Sequence, residues 1–167
     1  MDIIKNLETV SIAVDHIGYW NMEIPSQADD EISKNIEYFR KIAKSEKDKI
    51  KNNVSEDIAW LLLSFSERMA TLSLRTCDQN IFCNGMFALD IAYGKLDSRE
   101  ILIIMSLYFD VSVKNRLSFD EILKQKEPIS ETIQLFLNRE EEDKKISAMG
   151  YIIENDKMNQ PAYKRTW

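Results

Sequence analysis

Histidine occurs once in this chain, at His16, and that scarcity closes much of the catalytic repertoire. Zinc sites draw several ligands from His and Cys, and one His with two Cys does not supply them. A carboxylate-bridged di-iron bundle needs Glu-x-x-His twice, whereas the residue three before His16 is Ala13. There is no glycine-rich phosphate loop, no GxSxG elbow and no S-x-x-K pair. Asp15-His16 with Cys83 is the one nucleophile pairing left, and no sequence feature places His16 near Cys83. The plainer reading is a packed thiol and an ordinary histidine.

Glycine (4) and proline (3) are equally sparse, too few for the tight turns of a sandwich or barrel, so the balance favours helices. Cys77 and Cys83, the only cysteines, match neither a zinc knuckle nor a CxxC redox pair. Two buried thiols in a reducing cytosol are expected instead. The opening residues MDIIKNLETV carry no basic segment before a long apolar core, so no signal peptide is expected. The longest apolar run, about Ile101 to Phe109, falls far short of the ~20 residues that span a bilayer. A cytoplasmic protein without membrane contact follows.

What is present is helical patterning. Ile3, Leu7, Val10, Val14 and Ile17 form one stripe, although the β-branched cluster Thr9, Val10, Ile12 and Val14 keeps a strand reading open. After Pro25, Ser26 with Asp29 gives a helix start signal. Ile32, Ile36, Phe39 and Ala43 then mark a narrow seam, and the Lys- and Arg-rich residues from Lys34 to Lys51 read as the solvated faces of that one helix. Asn52-Asn53 ends it, and Ser55, Glu56 and Asp57 start the next. Its stripe is Ile58, Leu61, Leu62, Phe65, Met69 and Leu72, with Trp60, Leu63 and Leu74 on a second side, the mark of a central helix.

The stretch "NIFCNGMFALDIAYGKLDSREILIIMSLYFDV", residues 80 to 111, sets Asp90, Asp97, Arg99 and Glu100 among long apolar runs. Asp78 can cap a helix bearing Phe82, Met86, Leu89 and Tyr93, with the small Gly85, Ala88 and Ala92 letting a neighbouring backbone approach. Gly94 fits a left-handed C-terminal cap. Asp97 with Glu100 reads as a capping box, and Arg99 in the first turn fits best if it reaches a carboxylate such as Asp90. Ile101, Ile104, Met105 and Tyr108 form the next stripe, widened by Leu102, Ile103, Leu107 and Phe109. An Asn84-Gly85 hairpin is the counter-reading, but the helical stripe runs through the pair.

Ser118 to Glu121 opens a short helix that stops before Pro128, and another follows from about Ser130 with Ile133, Phe136 and Leu137 inward. After Gly150 the stripe is lost, and Tyr163, Arg165 and Trp167 alternate as in a small hairpin or an extended arm. The expected fold is therefore all-α. It is a single helical domain over 1–167 with a C-terminal arm over 150–167, irregular or a small β element. Six or seven helices stack as antiparallel hairpins, as an irregular bundle or a HEAT/armadillo-like array, since units 55–94 and 98–137 match that repeat scale. The segment "FCNGMFALDIAYGKLDSREILIIMSLYFDVSV" resembles uncharacterised bacterial helical proteins in which an N-G-x-x-A-L helix precedes a D-x-R-E helix start. That resemblance covers about a fifth of the chain and implies helices alone, with no activity or functional residue attached.

Two functional readings follow. Lys and Arg (22) are outnumbered by Asp and Glu (28), a net charge of −6 that repels phosphate backbones and favours basic partners. The first reading is a non-catalytic binding module, an acidic immunity-type or inhibitor protein that occludes a basic partner in a bacterial cytoplasm. Glu140, Glu141, Glu142 and Asp143 with Tyr163 and Trp167 are its candidate contacts. The same acidic run also reads as a solvated face, and the aromatics, Tyr19 and Trp20 included, as core caps. The second reading is an enzyme holding Mg²⁺ and a phosphorylated substrate on Asp90, Asp97 and Glu100. A cap plus an ion pair with Arg99 explains those residues with less assumption. A homo-oligomeric scaffold stays open as a third class. The residues call for no cofactor, and the basic helix from Arg40 to Lys51, interleaved with acids, is a poor nucleic-acid surface.

Overall fold

Ser26, predicted to start a helix, does so with both halves of a capping box. Its hydroxyl accepts from the Asp29 backbone N–H at 3.1 Å, and its own N–H donates to the Asp29 carboxylate at 3.0 Å. The computed structural model describes residues 1–15, 26–96 and 99–114, without the side chains of Phe109 and 112–114. Those residues form six helices and no strand: α1 (Ile3–Val14), α2 (Gln27–Lys41), α3 (Lys44–Asn53), α4 (Glu56–Thr76), α5 (Gln79–Tyr93) and α6 (Arg99–Lys114). The helical stripe of residues 3–14 therefore outweighs their β-branched content, and Ile3, Leu7 and Val14 are buried along it. Helices expected beyond 114 and the arm over 150–167 lie outside the described residues.

The single helix expected from 26 to 51 is two helices. Ile42 and Ala43 adopt extended backbone between α2 and α3. No glycine or proline marks this corner. A tertiary contact accounts for it: the Lys47 ammonium donates to the Arg40 carbonyl at 3.0 Å, satisfying one of the orphan acceptors at the end of α2. Lys47 thereby holds α3 at its turn, although α3 itself is nearly all polar.

Helix α4 is the axis of the arrangement, packing on α1, α2, α5 and α6. From Leu61 to Ser66 every side chain is buried, so its middle is enclosed all round, as the wide apolar surface required. Beyond that run it opens, with Glu67 partly exposed and Trp60, Thr71 and Leu74 exposed. It stops at Cys77, whose φ of 55° and ψ of 30° make it the left-handed cap, and the Cys77 N–H reaches the Ser73 carbonyl at 2.9 Å. The left-handed cap expected at Gly94 is not there, since Gly94 is right-handed at φ −72°. The chain leaves α5 by a turn in which Lys95 and Leu96 both donate to the Ala92 carbonyl, which tucks Leu96 inward. Cys77 is also exposed, against the expectation of two buried thiols, while Cys83 is buried.

The two-residue link Cys77-Asp78 folds α5 back against α4 along most of its length. Asp78 caps α5, accepting from the backbone N–H of Asn80 at 2.8 Å and of Ile81 at 3.3 Å. Asp78→Ala should lower the unfolding free energy by about 1 kcal/mol, read by urea denaturation, because it orphans two helix-terminal donors. No helix among the described residues is long and apolar enough to cross a membrane.

Candidate functional site

One side of α5 carries polar residues, of which Asn84 and Asp90 are buried. Asn80, Asn84, Phe87 and Asp90 recur at intervals of four, three and three residues, which keeps them on one side of a helix. Against them stand three cations from α2 and α3. The Arg40 guanidinium donates to the Asn80 side-chain oxygen at 2.8 Å and to the Asn84 side-chain oxygen, with Cζ 5.8 Å from the Phe87 ring centre. Lys47 lies 5.6 Å from the same ring and 5.9 Å from that of Phe39. Lys51 pairs with Asp90 at 2.6 Å. Glu37 completes the edge by accepting from the Asn80 amide at 3.0 Å.

A second ionic tie joins α2 to α4. The Arg68 Nε sits 3.0 and 3.1 Å from the two Asp29 oxygens, and its Nη2 lies 2.7 Å from Oδ2. Asp29 is thus both the capping-box acid of α2 and the counter-ion of a buried arginine. Asn6 and Asn35 add a neutral tie between α1 and α2 at 3.1 Å.

The third polar contact brings α6 onto the α4–α5 hairpin. Tyr108 donates its hydroxyl to the Ser66 carbonyl, and the Ser66 hydroxyl donates to the Gly85 carbonyl at 2.9 Å. The phenol fills the space where Gly85 has no side chain. Sequence alone expected a neighbouring backbone at this notch; the visitor is an aromatic side chain. Burial pushes the Tyr108 hydroxyl far above the usual phenol range, so it stays a neutral donor. On α4, burial raises Glu67 from 4.5 to about 7.

These contacts settle where part of the charge cluster of residues 80–111 goes. Asp90 is 2% exposed and its charge is met by Lys51, while Glu100 and Arg99 stand exposed at the start of α6. Asp97 lies outside the described residues. Among the described residues no three His, Cys, Asp or Glu side chains gather as metal ligands would. The acidic run Glu140, Glu141, Glu142 and Asp143, with Tyr163 and Trp167, also lies outside them, as do His16, Tyr19 and Trp20.

The cations of 34–51 are the clearest correction. Arg40 and Lys47, expected on a solvated face, are buried, and Lys51 is half-buried. A signal for this was present. Arg40 follows the seam residue Ile36 by four positions, and Lys47 and Lys51 continue that line at seven and four more. Asn80 and Asn84, spaced alike on a helix that is otherwise apolar, are the matching half. Either half alone reads as surface.

Comparison with protein-family models, with curated proteins and with solved structures finds no match.

Proposed function

We propose that this protein is a non-catalytic binding module, an acidic inhibitor or immunity-type protein that occludes a basic partner protein. The observation that supports it most is how the interior sorts charge. Among the described residues three cations, Arg40, Lys47 and Arg68, are buried against only two carboxylates, Asp29 and Asp90. The exposed surface of the described residues is therefore more acidic than their composition by one charge, and an acidic surface steers cationic partners and speeds their encounter. Burial of Arg40 and Lys47 also takes two cations from the basic segment that sequence offered to a nucleic acid, and two of its exposed lysines, Lys44 and Lys49, pair with Asp48 and Glu46. Stacking of the α4–α5 hairpin with a following helical pair, in the HEAT manner, belongs to the same reading as the frame that displays the acidic face.

The carboxylate-enzyme reading draws less support, since Asp90 is enclosed and ion-paired while Glu100 is exposed. Affinity capture from native lysate at low salt tests the proposal. A stoichiometric basic protein should be retained, and its affinity should fall steeply as salt rises to about 0.5 M, where screening shortens to a few ångströms. Neutralising Glu140, Glu141, Glu142 and Asp143 together should slow association about tenfold, by the steering argument. Failure to retain any stoichiometric protein, or retention indifferent to salt, overturns it.

A further inference from the structure

The corner between α2 and α3 runs against its local sequence. Ile42 (φ −82°, ψ 166°) and Ala43 (φ −65°, ψ 153°) are extended, and Ala43 offers α3 no side-chain cap. Alanine is the strongest helix former and among the poorest N-caps. A helix continued through the corner would give the Lys44 N–H to the Arg40 carbonyl, four residues back. That carbonyl is the one the Lys47 ammonium occupies at 3.0 Å. The N–H groups of Ser45 and Glu46 would likewise find the carbonyls of Lys41 and Ile42. Lys47 thus holds the acceptor that propagation of α2 needs, and it does so only while the corner is closed.

We infer that this corner is a domain-swapping hinge: opened, it joins α2 and α3 into one helix over 27–53, and α1 with α2 packs on a second copy of the chain. The lengths require the second copy. From Asp29 to Asn53 a straight helix measures about 36 Å, whereas Arg68, the partner of Asp29, stands only about 18 Å along α4 from Glu56. The link Val54-Ser55 adds three Cα steps, about 11 Å at most, and cannot make up the difference. Between two chains the ties survive. Asp29 on Arg68, Arg40 on Asn80 and Asn84, and the Phe39–Phe87 edge contact at 6.3 Å are remade across copies, while Lys51 keeps Asp90 of its own chain. Helix α1 travels with α2, to which Asn6 and Asn35 tie it. Opening loses the corner hydrogen bond from Lys47 and gains three helical ones, so concentration selects between closed monomer and swapped dimer.

Refolding of the full chain from urea at micromolar and at millimolar concentration tests this, with mass read by light scattering. The concentrated sample should hold a dimer share about tenfold or more above the dilute one, reverting slowly on dilution because α2 must first leave α4. In that dimer the backbone amides of Lys44, Ser45 and Glu46 should exchange about tenfold or more slowly than in the monomer, read by NMR. Lys47→Ala should raise the dimer share by freeing the Arg40 carbonyl. Lys44→Pro should abolish it, alone or combined with Lys47→Ala. The first position of α3 accepts proline and the extended Ala43 suits the residue before one, whereas inside the opened helix proline removes the Lys44 N–H and clashes with the Arg40 carbonyl. The Lys44 side chain is exposed and pairs with Asp48 at the surface, so the closed form keeps its interior. Should Lys47→Ala fail to fold, the parent and Lys44→Pro decide the matter between them. A parent monomeric at both concentrations, a dimer whose 44–46 amides stay unprotected, or a dimer that survives Lys44→Pro would each overturn the inference.

Discussion

Gly85→Ala is expected to lower the unfolding free energy by about 3 kcal/mol, although alanine favours a helix over glycine by roughly 1 kcal/mol. An ideal Cβ at Gly85 would stand 1.7 Å from the Tyr108 hydroxyl oxygen, 2.8 Å from its Cζ and 2.9 Å from the Met69 Cβ. All three atoms sit in an interior with no space to receive them, and Tyr108 is fully buried. The ring must therefore withdraw, carrying α6 with it and ending the hydroxyl's bond to Ser66. Overpacking of this kind costs about 1–3 kcal/mol, and a buried donor left unsatisfied adds about 1–3 more. Against a total stability of about 5–15 kcal/mol that is a large fraction.

The mechanism has its own signature. In a Tyr108→Phe background the worst contact disappears, so Gly85→Ala should cost less there, and the two substitutions should be non-additive by about 1 kcal/mol or more. Urea denaturation of the four variants measures this. A Gly85→Ala protein as stable as the parent would show that the Tyr108 seat is not as described.

Arg68→Met is expected to cost about 3–5 kcal/mol, the range for leaving one member of a buried ion pair alone. The removed guanidinium makes three contacts to Asp29, and the carboxylate it leaves is 1% exposed. Asp29 keeps its capping bonds with Ser26, so the loss falls on the pairing of α2 with α4 rather than on the start of α2. Asp29→Asn retains an acceptor for Ser26 and should be milder when combined with Arg68→Met than Arg68→Met alone. An apolar pair of similar volume often replaces a buried salt bridge without loss, so this ordering separates pairing from packing. Thermal unfolding of the two single variants and the double variant reads it directly; a single Arg68→Met within about 0.5 kcal/mol of the parent rules it out.

How legible the molecule was in its sequence varied with how local the cause was. Ser26 with Asp29, Ser55 and Asp78 announce helix starts because each acts on backbone donors two or three residues away. The stripes through Ile58 to Met69 and Ile101 to Tyr108 announce buried faces because a helix repeats every 3.6 residues. The helix through Asn84-Gly85 was legible for the same reason. Breaks and caps were less so. The α2–α3 corner depends on Lys47 reaching back seven residues, and the left-handed cap falls on Cys77 and not on Gly94. Composition marks neither.

By itself the sequence determined the helical class, most helix boundaries among the described residues, and which apolar stripes are buried, since these follow from short-range hydrogen bonding and a fixed period. Only the tertiary structure decided which charges go inside. Arg40 finds Asn80 and Asn84 across 40 and 44 residues, Asp29 finds Arg68 across 39, and Lys51 finds Asp90 from another helix. A cation's place in the interior is set by desolvation against the partner it meets there, and that partner is brought near only when the helices pack.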